Sequence, residues 1–184
     1  MSYFTKDEAL QRAQRSYRER STISEGLESY NKRILKTESA SFSESKNYDI
    51  FLSHSYQDAN IVHGIKTLIE DQGFTVYVDW IEDQQLNRAK VTKETAATLR
   101  KRMNSCRSFL YLATKNSSDS KWMPWELGYF DGKKNSKIAI LPVLDRASGS
   151  FEGQEYLSIY PEIKKYDELY VSGHALFKKF REWV

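Results

Sequence analysis

Ser120–Leu127, S-K-W-M-P-W-E-L, holds the residues best suited to chemistry. Trp122 and Glu126 stand four apart, a spacing that puts two side chains on one helix face. Pro124 suits a first helical turn, where its missing amide costs little. An indole offers a flat stacking surface and a carboxylate a fixed negative charge. Together they can hold a planar cationic ring and stabilise positive charge developing beside it. Cleavage of a nicotinamide–ribose bond needs that combination, because its transition state resembles an oxocarbenium ion, as in glycoside hydrolysis. The same residues also suit a solvated first-turn acid, favoured by the helix dipole, with both tryptophans as packing.

The elements around this segment alternate. Tyr48–Ser53, Phe74–Trp80, Ser108–Ala113, Lys137–Leu144 and Glu168–Val171 read as strands. Helices are expected from Asp58 to Gly73, over Thr92–Ser105, over Trp122–Gly132 and over Ala175–Val184, with Asp145–Lys165 irregular. Strands separated by helices imply right-handed crossovers, so the pattern predicts an α/β fold. Specifically, it predicts a flavodoxin-like, five-stranded, mostly parallel sheet with helices on both faces. Ligands of such sheets bind beyond the carboxyl ends of the strands. That edge is built from Ser53–Asp58, Trp80–Lys90, Thr114–Lys121 and the loop after Leu144.

Residues 1–46 read as a helical N-terminal extension and linker, and 47–184 as the main domain. Thr5–Glu8 and Thr22–Glu25 each fit a capping box. Leu10, Ala13 and Tyr17 align behind the first box, and Ile23, Leu27, Tyr30 and Ile34 behind the second. Such stripes suit a hairpin packed on the main domain or an arm that docks a partner.

Composition removes several classes. The 184 residues carry 28 Lys+Arg against 25 Asp+Glu, a net charge of +3 spread thinly, so no basic stripe points to nucleic acid. No apolar run approaches the ~20 residues that span a bilayer. The single Cys106 forms no internal disulfide, as expected of a cytoplasmic protein, and excludes a Cys-built zinc site. His54, His63 and His174 show no metal-ligand spacing, and no metal is expected. Neither GxGxxG nor GxxxxGK[ST] occurs, so bound NAD would be a substrate rather than a recycled cofactor.

Tyr48–Asp58, YDIFLSHSYQD, resembles the first sequence box of Toll/interleukin-1 receptor (TIR) domains, and S-K-W-M-P-W-E-L resembles their S-x-W-x-x-x-E-L helix start. The resemblance covers about Tyr48–Val184. It implies that Glu126 is the catalytic glutamate and Trp122 its aromatic neighbour. Phe74–Trp80 and Ile81–Lys90 are similar to the second strand and the BB loop, which in the family borders the pocket and mediates self-association. The loop here is acidic at Glu82 and Asp83 and lacks the proline common in animal adaptors.

The overall look is that of prokaryotic members, some of which serve antiphage defence by making a nucleotide signal for an effector. The implied activity is NAD⁺ glycohydrolase or ADP-ribosyl cyclase, with no cofactor beyond NAD⁺ as substrate. Trp80 and Trp122 would flank a ring of the substrate, and backbone amides near Ser53 would meet phosphate or ribose. His54 is a substrate contact or a plain loop histidine. Asp79 binds a ribose hydroxyl or serves the fold. The other functions open at this point are a non-enzymatic TIR module that signals through homotypic contacts and a nucleoside-transferring enzyme of similar sheet topology, which would also use a glutamate near a ribose.

Overall fold

The computed structural model describes residues 1–21, 24–43, 46–80, 93–134, 137–173 and 176–184. Its elements are β1 (Phe4–Thr5), α1 (Lys6–Arg20), α2 (Leu27–Ala40), β2 (Tyr48–Ser53), α3 (Ala59–Glu70), β3 (Val76–Tyr77), α4 (Lys93–Asn104), β4 (Cys106–Ala113), α5 (Trp122–Lys134), β5 (Ile138–Leu144), β6 (Glu162–Lys165), β7 (Leu169–Gly173), β8 (Leu176–Lys179) and α6 (Phe180–Trp183). The sheet runs β3-β2-β4-β5-β6-β7-β8, parallel as far as β6 and antiparallel beyond. The α/β class and the mostly parallel sheet match the expectation from sequence.

The far side of the sheet differs from it. The fifth parallel strand is β6, inside the stretch expected to be irregular, while the segment expected to be fifth is the antiparallel β7. The expected last helix divides into β8 and a single turn, α6. The pattern E-I-K-K of β6 buries only Ile163, so it gives no apolar run to read. Sheet pairing in Phe74–Trp80 is confined to Val76 and Tyr77.

Central strands are buried on both faces, which explains their unbroken apolar runs. Leu110 and Leu112 of β4 pack with Val62, Ile65 and Ile69 of α3. Phe109 and Tyr111 point the other way, toward Leu99 and Met103 of α4 and Met123, Leu127 and Phe130 of α5. Gly73 ends α3 with φ +87°, a backbone state that a side chain would strain.

The capping box at Thr5 forms both of its bonds. The second box includes Thr22 and Ile23, which lie outside the described residues, and α2 begins at Leu27. The buried face of α1 is Ala9, Ala13 and Ser16 rather than Leu10, Ala13 and Tyr17. Close approach explains the difference: a Cβ on Gly64 of α3 would sit 1.9 Å from the Ala9 carbonyl oxygen, so only small residues fit between the helices. In α2 the buried face shifts to Tyr30, Asn31 and Leu35, with Ile34 partly exposed. Among the described residues no helix is long and apolar enough to cross a membrane.

Candidate active site

The carboxyl ends of β2 and β4 carry the polar residues. Ser53 is the last residue of β2, and its hydroxyl donates to the Glu126 carboxylate at 2.5 Å. Glu126 reaches that point because α5 opens directly above the strand ends. The Ser120 hydroxyl accepts from the Met123 amide at 3.3 Å, which caps the first turn. Glu126 is 7 % exposed, with Met123 and Leu127 buried around it. In such surroundings a carboxylate acts on a nearby positive charge more strongly than it would in water.

The loops after β2 and β4 are clasped together. Asp58 stands at the N-cap position of α3, yet its carboxylate leaves the helix and accepts from Thr114 Oγ1 and Asn116 Nδ2, each at 2.6 Å. This clasp spans the two strands that flank the reversal in strand order, where open α/β sheets bind ligands.

His54 and Trp80 also meet. Their rings are parallel with centroids 5.1 Å apart, and Tyr56 also stacks on Trp80 at 5.0 Å. The His54 Nδ1 lies 3.1 Å from the Leu52 carbonyl; since that oxygen only accepts, Nδ1 carries the proton in this contact. Trp80 is 2 % exposed and belongs to the α3 side of the sheet.

The remaining candidates are turned elsewhere. Asp79 is buried and pairs with the Arg102 guanidinium of α4, and it accepts from the Tyr77 hydroxyl at 3.0 Å. Burial pushes the Tyr77 phenol up to about 12, so it remains a donor. Trp122 lies edge-on to Trp125 at 5.4 Å, on the α5 side of the sheet, and Trp125 stacks on Tyr129 beneath Arg100. The structure thus brings Ser53 to Glu126 and His54 to Trp80, while Trp80 and Trp122 join different side-chain clusters. Ile81–Lys90, the expected BB loop, lies outside the described residues.

Sequence reading assigned backbone amides to Ser53 and missed its hydroxyl bond to Glu126. It used Asp58 only as the start of a helix and the end of the first loop, and it did not single out Arg102. Alternation along β2 carried a usable signal, because Ser53 shares the face of Phe51, toward α5. Nothing in the sequence marked Arg102.

Residues 50–170 match the family described as TIR domain. A protein of Bacillus cereus (strain MSX-D12) named "Probable 3' cyclic ADP-D-ribose synthase ThsB'" is 45 % identical over 193 residues, covering 100 % of this chain and 98 % of that protein. A Cytobacillus dafuensis protein named "Putative cyclic ADP-D-ribose synthase TIR2" is 33 % identical over 97 residues, 52 % of this chain and 26 % of that longer protein. The domain match covers most of the chain, and the Bacillus cereus relative aligns with it end to end. The chain belongs to the TIR family.

Proposed function

We propose that the protein cleaves the nicotinamide–ribose bond of NAD⁺ and closes the remaining ADP-ribose into a cyclic isomer. The observation that carries this reading is the buried Glu126 carboxylate held by the Ser53 hydroxyl at the carboxyl edge of the sheet. The relative that aligns over the full chain bears the name of a cyclic ADP-D-ribose synthase, which supports the same chemistry.

As the C–N bond breaks, nicotinamide leaves with the bonding electron pair and positive charge grows on the ribose carbon and ring oxygen. Glu126 stabilises that charge and binds the ribose, while Ser53 fixes the direction of the carboxylate. Attack by a hydroxyl of the same molecule, with loss of its proton, gives the cyclic product. Attack by water gives linear ADP-ribose.

Trp122, one turn before Glu126, supplies an aromatic surface for a substrate ring, whereas Trp80 is buried between His54 and Tyr56 and backs the His54 imidazole. Asp79 serves the fold through Arg102 instead of holding ribose. The working assembly is a self-associated one in which a second copy's BB loop borders the pocket. The cyclic nucleotide is a signal for a downstream effector in antiphage defence, made in the cytoplasm.

Incubation of NAD⁺ with the protein at low and high concentration, beside Glu126→Ala, tests the reading by chromatography and mass spectrometry. Nicotinamide release by the wild type alone supports it, and a co-product one water lighter than ADP-ribose identifies cyclisation. Absence of release at every concentration, with clear self-association, replaces it by a non-enzymatic signalling module.

A further inference from the structure

The parallel pairing of β1 with β5 sets Phe4 against Val143 and Thr5 against Leu144. The next residue on each strand therefore arrives beside the other, and the Lys6 ammonium lies 2.9 Å from one Asp145 oxygen. Lys115, two residues beyond the end of β4, lies 3.0 Å from the other oxygen. Lys6 first, then Lys115, hold the Asp145 carboxyl below its ordinary range, so it is charged.

These three residues line a cleft of about 360 Å³ at the carboxyl ends of β4 and β5, a size that admits a small ligand. Half-buried Phe151 packs against the α5-side core and gives the cleft an aromatic wall. Glu152 also lines it, yet the charges that act on Lys115 and Asp145 are those of the triad itself. Thr114 lines the cleft too, and its hydroxyl holds Asp58 in the clasp described above. Neighbouring strands lie about 4.8 Å apart, so the cleft is roughly 10 Å, two strand spacings, from the Ser53 end of β2.

Two ammonium groups against one carboxylate leave a positive charge in the cleft. Lys115 and Asp145 are 75 % and 61 % exposed, and ion pairs so exposed contribute little to a fold. Lysines do serve as point-charge partners of phosphate oxygens. The Asp145 carboxylate, with one oxygen on each ammonium group, stands where oxygens of a diphosphate would stand.

We propose that this cleft binds the adenosine diphosphate half of the substrate. Lys6 and Lys115 meet the diphosphate, Phe151 carries the adenine, and Asp145 swings aside as phosphate enters. The N-terminal extension thereby supplies a binding residue, since Lys6 opens α1. That this ligand is half of a substrate rests on the NAD⁺ reading above, and the test separates the two.

Isothermal titration calorimetry is run with ADP, which has no nicotinamide bond to cleave, beside adenosine and pyrophosphate. Wild type should bind ADP at least about tenfold more tightly than either fragment, because linked groups engage both parts of the cleft. Lys6→Ala and Lys115→Ala should each weaken ADP binding about three- to tenfold and raise the KM for NAD⁺. Asp145→Asn should tighten ADP binding about threefold, because it removes the carboxylate that competes with phosphate for both lysines. A triad that serves only the fold would move none of these affinities.

Undiminished ADP affinity in either lysine variant overturns the proposal, as does an affinity that does not rise in Asp145→Asn. Failure of wild type to bind ADP overturns it, and so does adenosine or pyrophosphate binding as tightly as ADP. If wild type releases no nicotinamide from NAD⁺, the cleavage reading fails, while the ADP titrations still decide for or against the cleft.

Discussion

Ser53 donates to the Glu126 carboxylate, and both groups are shielded from water. Ser53→Ala should lower kcat about ten- to hundredfold, since hydrogen bonds to charged groups contribute about 1.5–3 kcal/mol. Steady-state kinetics with NAD⁺ checks this, and an unchanged kcat would detach Ser53 from the reaction. Glu126→Gln keeps the shape and removes the charge, so its loss should be larger, at least about a hundredfold. Glu126 was legible because a short motif fixed both its residue type and its place at a helix start. The opposite ion of Asp79 was not legible. Arg102 is 23 positions away in sequence, and no local pattern says which way a guanidinium on an amphipathic helix will turn.

Contact between α1 and α3 depends on the bare backbone of Gly64. Gly64→Ala places a methyl group into the Ala9 carbonyl and must push α1 outward, costing on the order of 2 kcal/mol by overpacking. A thermal melt of the variant measures the cost, and an unaltered melting point would mean that the helices part freely there. The pairing of α4 with the end of β3 is electrostatic instead. Arg102→Ala leaves the Asp79 side chain, among the described residues, with the Tyr77 hydroxyl alone, a loss of about 3 kcal/mol. Asp79→Asn with Arg102→Gln should recover part of that loss in a double-mutant comparison. Element order was readable for β2, β4 and β5 because burial on both faces writes a continuous apolar run. It failed at β6 and β8, where each strand is buried at few positions and L-F-K-K suits a helix as well as an edge strand.

Acid should loosen the whole molecule through one buried imidazole. His63 on α3 is enclosed by α1 and α2, with neither ring nitrogen hydrogen-bonded among the described residues. Burial first, then the charges of Lys66, Arg20 and Arg12, lower its pKa from 6.5 to about 4. The unfolded chain therefore binds this proton at higher pH than the folded one. Stability from this residue is complete above about pH 6.5 and is lost as pH falls toward 4, amounting to about 3 kcal/mol. Urea unfolding of wild type and His63→Leu at pH 7.5 and 4.5 isolates the effect: the variant should lose less on acidification. Equal losses would show that His63 is solvated.

The pairing of Phe4 with Val143 and Thr5 with Leu144 sets an order of events during synthesis. Residue 4 leaves the ribosome long before its partner. At ordinary translation rates the wait is on the order of 10 s. Through that interval Phe4 has no β5 to pair with, whereas α3 is made about midway. The α1–α3 contact can thus form early and hold the start of the chain close, and β1 then joins late, as β5 arrives. Refolding of the finished chain has to make the same junction across 139 positions (143 − 4), a long-range closure that slows folding.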